Sequence, residues 1–368
     1  MSYPYPIYSR NRVDKAGDVL VNNKEWNQYL LWDDLDEAIG IINNWRAAHA
    51  YPLNALTTRL KATAYEVSPQ ALIAQRLKRI EAIKFKMERS RESGRVFGLS
   101  TMQDIGGCRA VFPTVKHVEA LRDFYCSAGE RNRNRGSELT KMFDYIKEPK
   151  PDGYRGVHFV FRYRGQTRSS LRGKGSTAWD RSKFDGLKIE IQIRSILQHQ
   201  WASAVETAGR YTRQNIKGSA GEAKWSRFFS LTGSAIAMLE DRPTIAKTPT
   251  TQAGLIGEIQ KHGEQLELLR SYTSPNIIFP KGGKEGDVFV LVVDPERGQV
   301  EARPFQRRRL VAAQEAYFST ERTIRSQVGV EAVLVGVNSE EQLKIAYPSY
   351  YLDARDFVKT IMGFTARR

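Results

Sequence analysis

Alternation and helical spacing divide the chain before any single residue is asked to do chemistry. Trp26, Tyr29, Leu30, Trp32, Leu35, Ala38, Ile41, Ile42 and Trp45 recur near helical spacing, so residues 23–50 read as an amphipathic helix pair. Tyr51-Pro52-Leu53-Asn54 reads as a break, followed by a second helical run. Ser68-Pro69 then supplies an N-cap and an N1 proline for a helix whose buried stripe is Leu72, Ile73, Leu77, Ile80, Ile83 and Met87. Around that stripe lie Arg76, Lys78, Arg79, Lys84, Lys86 and Arg89, with Glu81 and Glu88 as compensation. A turn carrying Asp104 and Gly106-Gly107 precedes a short strand, and residues 115–129 read as a helix.

The middle of the chain switches to a period of two. Val157, Phe159, Phe161 and Tyr163 alternate with His158, Val160 and Arg162, which predicts a strand with His158 opposite the aromatic face. Ile189, Ile191 and Ile193 alternate with Glu190, Gln192 and Arg194, so three polar side chains share one face of a second strand. Ser195 and Gln198 form a capping-box pattern for a helix from Ile196 to Tyr211, whose Trp201 reads as packing. Helices are expected over 221–239 and 252–270, and a boundary at Tyr272-Thr-Ser-Pro-Asn276. Beyond it, a hairpin (Val288–Val293 and Val300–Pro304), a helix at about 308–325, a strand over Ala332–Val337 and a helix opened by Asn338-Ser339 with Glu341 make a ββαβα pattern. Tyr347-Pro348-Ser349-Tyr350-Tyr351 is a dense aromatic cluster, read either as a surface for interaction or as packing.

Composition narrows the partners. The 368 residues allow two or three domains, and 41% hydrophobic content suffices for real cores. The formal net charge of +16 draws the chain toward polyphosphates, nucleic acid or an anionic surface. Two cysteines, Cys108 and Cys126, have no metal-ligand spacing and make no disulfide framework. With no leader pattern and no apolar run near the roughly 18 residues a membrane helix needs, the expected location is cytoplasmic.

The richest chemistry lies in 144–158, Asp-Tyr-Ile-Lys-Glu-Pro-Lys-Pro-Asp-Gly-Tyr-Arg-Gly-Val-His, a loop with cations, aromatic rings and a turn glycine suited to a charged planar ligand. Arg131-Asn-Arg-Asn-Arg-Gly136 is a second basic loop, and 164–186 a Gly/Ser/Arg/Lys-rich excursion. Asp104 and Glu190 stand as two carboxylates at neighbouring strand ends, a pair that suits Mg2+ shared with substrate phosphates, while Tyr154 offers a face for a nucleobase.

Five blocks in order resemble the synthetase domain of the RelA/SpoT homologue family over 68–206. They are Arg76-x-Lys78 with Lys86-Met87, Asp104-Ile-Gly-Gly-Cys-Arg109, Asp144-Tyr-Ile-Lys with Pro149-Lys150, Gly153-Tyr154-Arg-x-x-His158, and Glu190-Ile-Gln-Ile-Arg194. The resemblance implies an α+β fold, a mixed-sheet, nucleotidyltransferase-like domain flanked by helices, over 1–272, with a small α/β domain over 273–368. It implies an ATP-dependent pyrophosphokinase. Arg76 would clamp the adenine of ATP, with Lys78, Lys86 and Arg109 completing the ATP site. Asp104 and Glu190 would hold Mg2+, Glu190 also helping to deprotonate the acceptor hydroxyl. Tyr154 would stack the acceptor base, and Lys147, His158, Gln192 and Arg194 would bind the rest of the acceptor. No histidine is followed by aspartate, so the family's hydrolase activity is not expected.

Within that family the chain resembles the toxic small alarmone synthetases, and among these the fused toxin–antitoxin type called CapRel. Met102-Gln-Asp-Ile-Gly-Gly-Cys-Arg109, Leu197-Gln-His-Gln-Trp-Ala-x-x-Val-Glu206 and Ala346-Tyr347-Pro-x-Tyr350 carry this closer likeness. It implies transfer of pyrophosphate to the 3′ CCA end of tRNA. It also implies autoinhibition by Tyr347 and Tyr350 until a phage capsid protein binds. The alternatives are synthesis of (p)ppGpp or (p)ppApp from free nucleotides, and a catalytically dead RNA-binding module.

Overall fold

In the computed structural model, residues 3–22, 33–127, 136–165, 180–212, 219–271, 276–278, 286–325, 327, 329–337, 340–351 and 353–367 are described. Trp26, Tyr29, Leu30 and Trp32, the basic run Arg131–Arg135, most of the 164–186 excursion, the boundary residues 272–275 and the pair Asn338-Ser339 lie outside them.

Three helices open the chain. Helix α1 (Arg10–Asn22), absent from the pattern reading, buries Val13, Ala16, Gly17 and Leu20. It packs on Leu35, Ala38, Ile41, Ile42 and Trp45 of α2 (Asp33–Ala48), so the helical stripe predicted there is core. The expected break at 51–54 does not occur. Helix α3 (Ala50–Val67) runs through it, because Pro52 falls in the first turn, where a backbone N–H has no helical partner to lose.

The helix expected after Ser68-Pro69 is also corrected. Leu72–Leu77 is a strand, β1, and only Ile80–Glu92 forms the helix, α4. The apolar run Leu72-Ile73-Ala74 suits a strand inside a sheet as well as a helix stripe, and ladder partners decide it. β1 pairs antiparallel along its whole length with β2 (Gly106–Phe112), from Leu72↔Val111 to Leu77↔Gly106. The basic residues Arg76 and Lys78 therefore project from a strand and its end, with α4 carrying Lys86.

After α5 (Val115–Cys126), strand β3 (Ser137–Asp144), missed by the pattern, pairs with β4 (Val157–Tyr163), and β4 pairs with β5 (Lys188–Ser195). The predicted alternations hold: Phe159, Phe161, Ile189, Ile191 and Ile193 enter one core. Ser195 Oγ accepts from the Gln198 N–H at 3.1 Å and Gln198 Oε1 accepts from the Ser195 N–H at 3.3 Å, the reciprocal box expected at the start of α6 (Ile196–Thr212). Helix α7 (Ser219–Leu239) follows, and the single helix expected over 252–270 is two, α8 (Gln252–Gln260) and α9 (Gly263–Ser271).

The C-terminal pattern is present and extended. Strand β6 (Asn276–Ile278), the hairpin β7 (Val288–Asp294) and β8 (Gln299–Phe305), helix α10 (Leu310–Ile324), strand β9 (Glu331–Gly336) and helix α11 (Glu340–Ala346) are joined by a 3-10 turn at Pro348–Tyr351 and a last helix, α12 (Arg355–Thr365). Helix α12 buries Phe357, Val358, Ile361 and Phe364 against Trp201 of α6 and Trp225, Phe228 and Phe229 of α7. Strand β9 adds to β1 through Gln75↔Gly336 and Arg76↔Val335, so the described strands make one mixed sheet in the order β3-β4-β5-β2-β1-β9-β7-β8-β6. Two residue pairs carry the sheet across from the first 272 residues to the C-terminal segment.

Candidate active site

Register brings the predicted side chains to one face. The parallel β2–β5 ladder sets Gly107 beside Glu190 and Arg109 beside Gln192, and the β1–β2 ladder sets Arg76 beside Gly107. Because side chains alternate, Arg76, Arg109, Glu190 and Gln192 all line a cleft. Asp104, at the turn before β2, and Lys78, just past β1, complete it; Gly107, with no side chain, leaves the floor open.

The two carboxylates are held differently. Asp104 Oδ2 accepts from Lys78 Nζ and Oδ1 from Lys86 Nζ, each at 2.8 Å. Burial alone would raise the Asp104 pKa, but the two ammonium groups overcome it and hold the carboxyl well below the usual range. Burial in turn pushes the Lys78 ammonium down, against the pull of Asp104. Glu190 Oε1 accepts from His158 Nδ1 at 2.9 Å and Oε2 from Gln192 Nε2 at 2.7 Å. Burial favours its neutral form, yet the His158 contacts win and the Glu190 pKa falls. Both groups are therefore anions. Asp104 lies close enough to oppose the Glu190 charge, and the pair offers a hard divalent cation two oxygen donors, the remainder coming from phosphate and water.

Next to Glu190, Tyr154 OH contacts His158 Nε2 and accepts from Arg194 Nε at 3.1 Å and Nη2 at 2.6 Å. The Arg194 guanidinium stands 4.9 Å from the Tyr154 ring centroid. Lys150 Nζ sits 4.3 Å from the Tyr145 ring centroid and 5.0 Å from that of Tyr154. Lys147 is exposed, and its N–H closes a turn on Asp144 Oδ1 at 3.1 Å. Asp144 is itself fixed by Arg122 Nη1 at 3.0 Å, so it builds the loop. Gly153 has φ +103, and a Cβ there would stand 2.5 Å from the Phe229 carbonyl oxygen, so the turn glycine is demanded twice over.

The C-terminal segment enters the cleft beside Arg76 and Arg109. Tyr347 lines the cleft, donates its O–H to the Gln75 carbonyl at 2.8 Å, and lies with its ring centroid 6.0 Å from the Arg109 guanidinium. Arg76 Nη1 donates to Tyr350 OH at 3.0 Å, and the Arg210 guanidinium lies 4.3 Å from the Tyr350 ring centroid. Around them, Ser349 Oγ donates to Glu206 Oε2 at 2.7 Å, His199 Nε2 donates to the Ile345 carbonyl at 2.9 Å, and Arg109 Nη1 reaches the Ala346 carbonyl at 3.4 Å. Beside them Glu331 of β9 forms ion pairs with Arg79 at 2.5 Å and with Arg210 at 3.4 Å. A cavity of about 50 Å3 remains in the cleft, far below the roughly 300–1,000 Å3 of small-molecule sites.

Lys150 and Glu206 stand in the quoted motifs without an expected role, and Arg210 and Glu331 were not singled out in the sequence. Glu206 and Arg210 stand four apart on one helix face, a signal that was available; Glu331 has none, since its partners lie far off in the chain.

Residues 75–216 match the family described as the region found in RelA / SpoT proteins. Over that segment the chain is similar to RelA/SpoT proteins. The GTP pyrophosphokinase YjbM of Bacillus subtilis is 24% identical over 189 residues, covering 50% of this chain and 72% of that protein. The GTP pyrophosphokinase YwaC of the same organism is 24% identical over 179 residues, covering 46% and 76%. The crystal structure of small alarmone synthetase 1 from Bacillus subtilis bound to its product pppGpp is 21% identical, with 56% of this chain and 94% of that chain covered and a TM-score of 0.39. The matched RelA/SpoT region holds Asp104, Glu190, Tyr154 and the cleft arginines. It ends before the segment that carries Tyr347 and Tyr350.

Proposed function

We propose that this pyrophosphokinase of RelA/SpoT type transfers pyrophosphate from ATP to the 3′ CCA end of tRNA and is held off by its own C-terminal segment. The observation that supports the restraint is that Tyr347 lines the cleft with Arg109, Asp104 and Glu190 while Tyr350 holds the Arg76 guanidinium. An adenine nucleotide and these two rings compete for the same guanidinium faces. Release of residues 340–351 opens the ATP side.

With the cleft open, Arg76 and Arg109 hold the adenine end of ATP, while Lys78 and Lys86 turn from Asp104 to the phosphates. Asp104 and Glu190 would hold Mg2+, which supplies charge neutralisation along the triphosphate. Glu190 takes the proton of the acceptor hydroxyl. The hydroxyl oxygen bonds to the β-phosphorus, the bond from that phosphorus to the α–β bridging oxygen breaks, and AMP leaves. Tyr154 and Tyr145, with Lys150 over them, receive the acceptor base, and Lys147, Gln192 and Arg194 lie along the same side.

The tRNA acceptor is supported by charge: a net +16 on 368 residues exceeds what one free nucleotide needs and suits a phosphate backbone. A second reading takes GTP or an adenine nucleotide as acceptor, favoured by the relatives' printed activity as GTP pyrophosphokinases. Among the described residues no helix is long and apolar enough to cross a membrane, and we place the protein in the cytoplasm. The release partner proposed is a phage capsid-type protein, which makes the enzyme a defence toxin. The test incubates the Tyr347→Ala chain with ATP labelled at its β-phosphate and offers deacylated tRNA, GTP or AMP in separate reactions. Label on the tRNA 3′ end is expected. Label on GTP or AMP alone would replace the tRNA reading with the second.

A further inference from the structure

The hydrogen bonds around Glu190 have a direction that donor and acceptor counts settle without reference to any titration. Arg194 is a donor only. Its Nε and Nη2 both donate to Tyr154 OH, at 3.1 and 2.6 Å, and so fill both lone pairs of that oxygen. The phenol therefore spends its own hydrogen on its remaining neighbour, His158 Nε2. An imidazole that accepts at Nε2 carries its hydrogen at Nδ1, and Nδ1 donates to Glu190 Oε1 at 2.9 Å.

A second arm starts from the same guanidinium. Arg194 Nη2 donates to Gln192 Oε1 at 2.9 Å, which turns the amide so that Gln192 Nε2 donates to Glu190 Oε2 at 2.7 Å. Two arms leave one guanidinium and converge on one carboxylate, one N–H on each oxygen. Gln192 and Arg194 share the face of β5 with Glu190, and His158 stands opposite Gln192 on β4, so the ring rests on strands, not on loops.

We propose that Arg194 and Tyr154 are positioning residues that act through His158 and Gln192, locking the imidazole as its Nδ1–H tautomer and presenting Glu190 as an oriented anion to the acceptor hydroxyl. This rests on the reading of Glu190 as the proton acceptor. It gives Tyr154 a task beyond offering its ring face, because the phenolic oxygen relays the choice of tautomer. It also explains why an arginine is needed at 194. A lysine carries a single nitrogen and cannot hold both the phenol and the amide oxygen in a fixed fork.

The test is nitrogen NMR of the full chain labelled at its five histidines, with the His158 signals assigned through His158→Gln. The wild type is expected to show His158 with a protonated Nδ1 and a bare Nε2. In Tyr154→Phe, which keeps the ring and removes the hydroxyl, a population protonated at Nε2 should appear. Arg194→Lys should do the same. A wild-type His158 protonated at Nε2, or a tautomer unchanged in both variants, overturns the proposal. In chains that also carry Tyr347→Ala, Tyr154→Phe should lower kcat by about ten-fold with the KM for ATP unmoved, and an unchanged kcat would count against it. If the Tyr347→Ala chain transfers no pyrophosphate to any acceptor, the functional reading fails while the imidazole signals still decide the ring.

Discussion

Arg76 donates to Tyr350 OH across 3.0 Å, joining the end of β1 to a turn 274 positions later in the chain. Burial favours the neutral phenol, but the guanidinium groups of Arg76, Arg79 and Arg210 overcome it and pull the Tyr350 pKa below its ordinary value. On the proposed reading, this phenol among guanidinium groups closes a site meant for a polyanion. Tyr350→Phe removes one hydrogen bond of about 0.5–1.5 kcal/mol, which predicts roughly a two- to ten-fold rise in basal pyrophosphate transfer. Initial rates on the two chains measure it.

Tyr347→Ala should act more strongly. The side chain is buried, donates to the Gln75 carbonyl and covers Arg109, and truncating a large buried aromatic typically costs about 3–5 kcal/mol. A rise of two orders of magnitude or more in the same assay is expected, together with slowed growth of an expressing host. Unchanged rates and normal growth would remove the restraint from the account.

Glu190→Gln keeps the shape of the cleft and removes the charge proposed to accept the proton. Loss of a positioned base costs roughly 100- to 10,000-fold. In a Tyr347→Ala background the double variant should therefore fall at least two orders of magnitude below the single one, with ATP binding retained. Calorimetry for ATP and rate measurements on the two chains separate these effects.

Acid should loosen the molecule in a defined window. Burial depresses His199 to about 3 and His49 to about 4, both from 6.5. Burial opposes ionisation of Glu206, but Arg76, Arg109 and Arg210 overcome it and bring the group to about 2 from 4.5. All three have folded values below their unfolded ones, so the unfolded chain binds more protons on acidification. Their stabilisation is present above the unfolded values and is lost as pH falls, first through the histidines below about 6.5, then through Glu206 below about 4.5. Tm should drop steadily from pH 7 to pH 5, and His199→Gln should shallow that slope. A flat Tm over the interval contradicts the assignment.

Much of the site was readable because strand alternation is a local property. Glu190, Gln192 and Arg194 on one face and Ile189, Ile191 and Ile193 on the other follow from a period of two, and β5 delivers both. His158 opposite Phe159 and Phe161 follows in the same way. Leu72–Leu77 misled because Leu72, Ile73 and Leu77 fit a helical stripe, and the choice was made by β2 and β9, which the segment itself does not encode. Pro52 misled in the opposite sense, since a proline within the first turn leaves a helix intact. The contacts of Glu331 with Arg79 and Arg210, and of Tyr350 with Arg76, were out of reach because long-range pairing leaves no spacing to read.

The most direct measurement is the mass of the 3′-terminal nucleotide of tRNA after incubation with ATP and either the full chain or its Tyr347→Ala variant. An added pyrophosphate on the terminal adenosine is expected with the variant, and little or none with the full chain. An unmodified terminus with both would contradict the tRNA acceptor, and equal modification by both would contradict the C-terminal restraint.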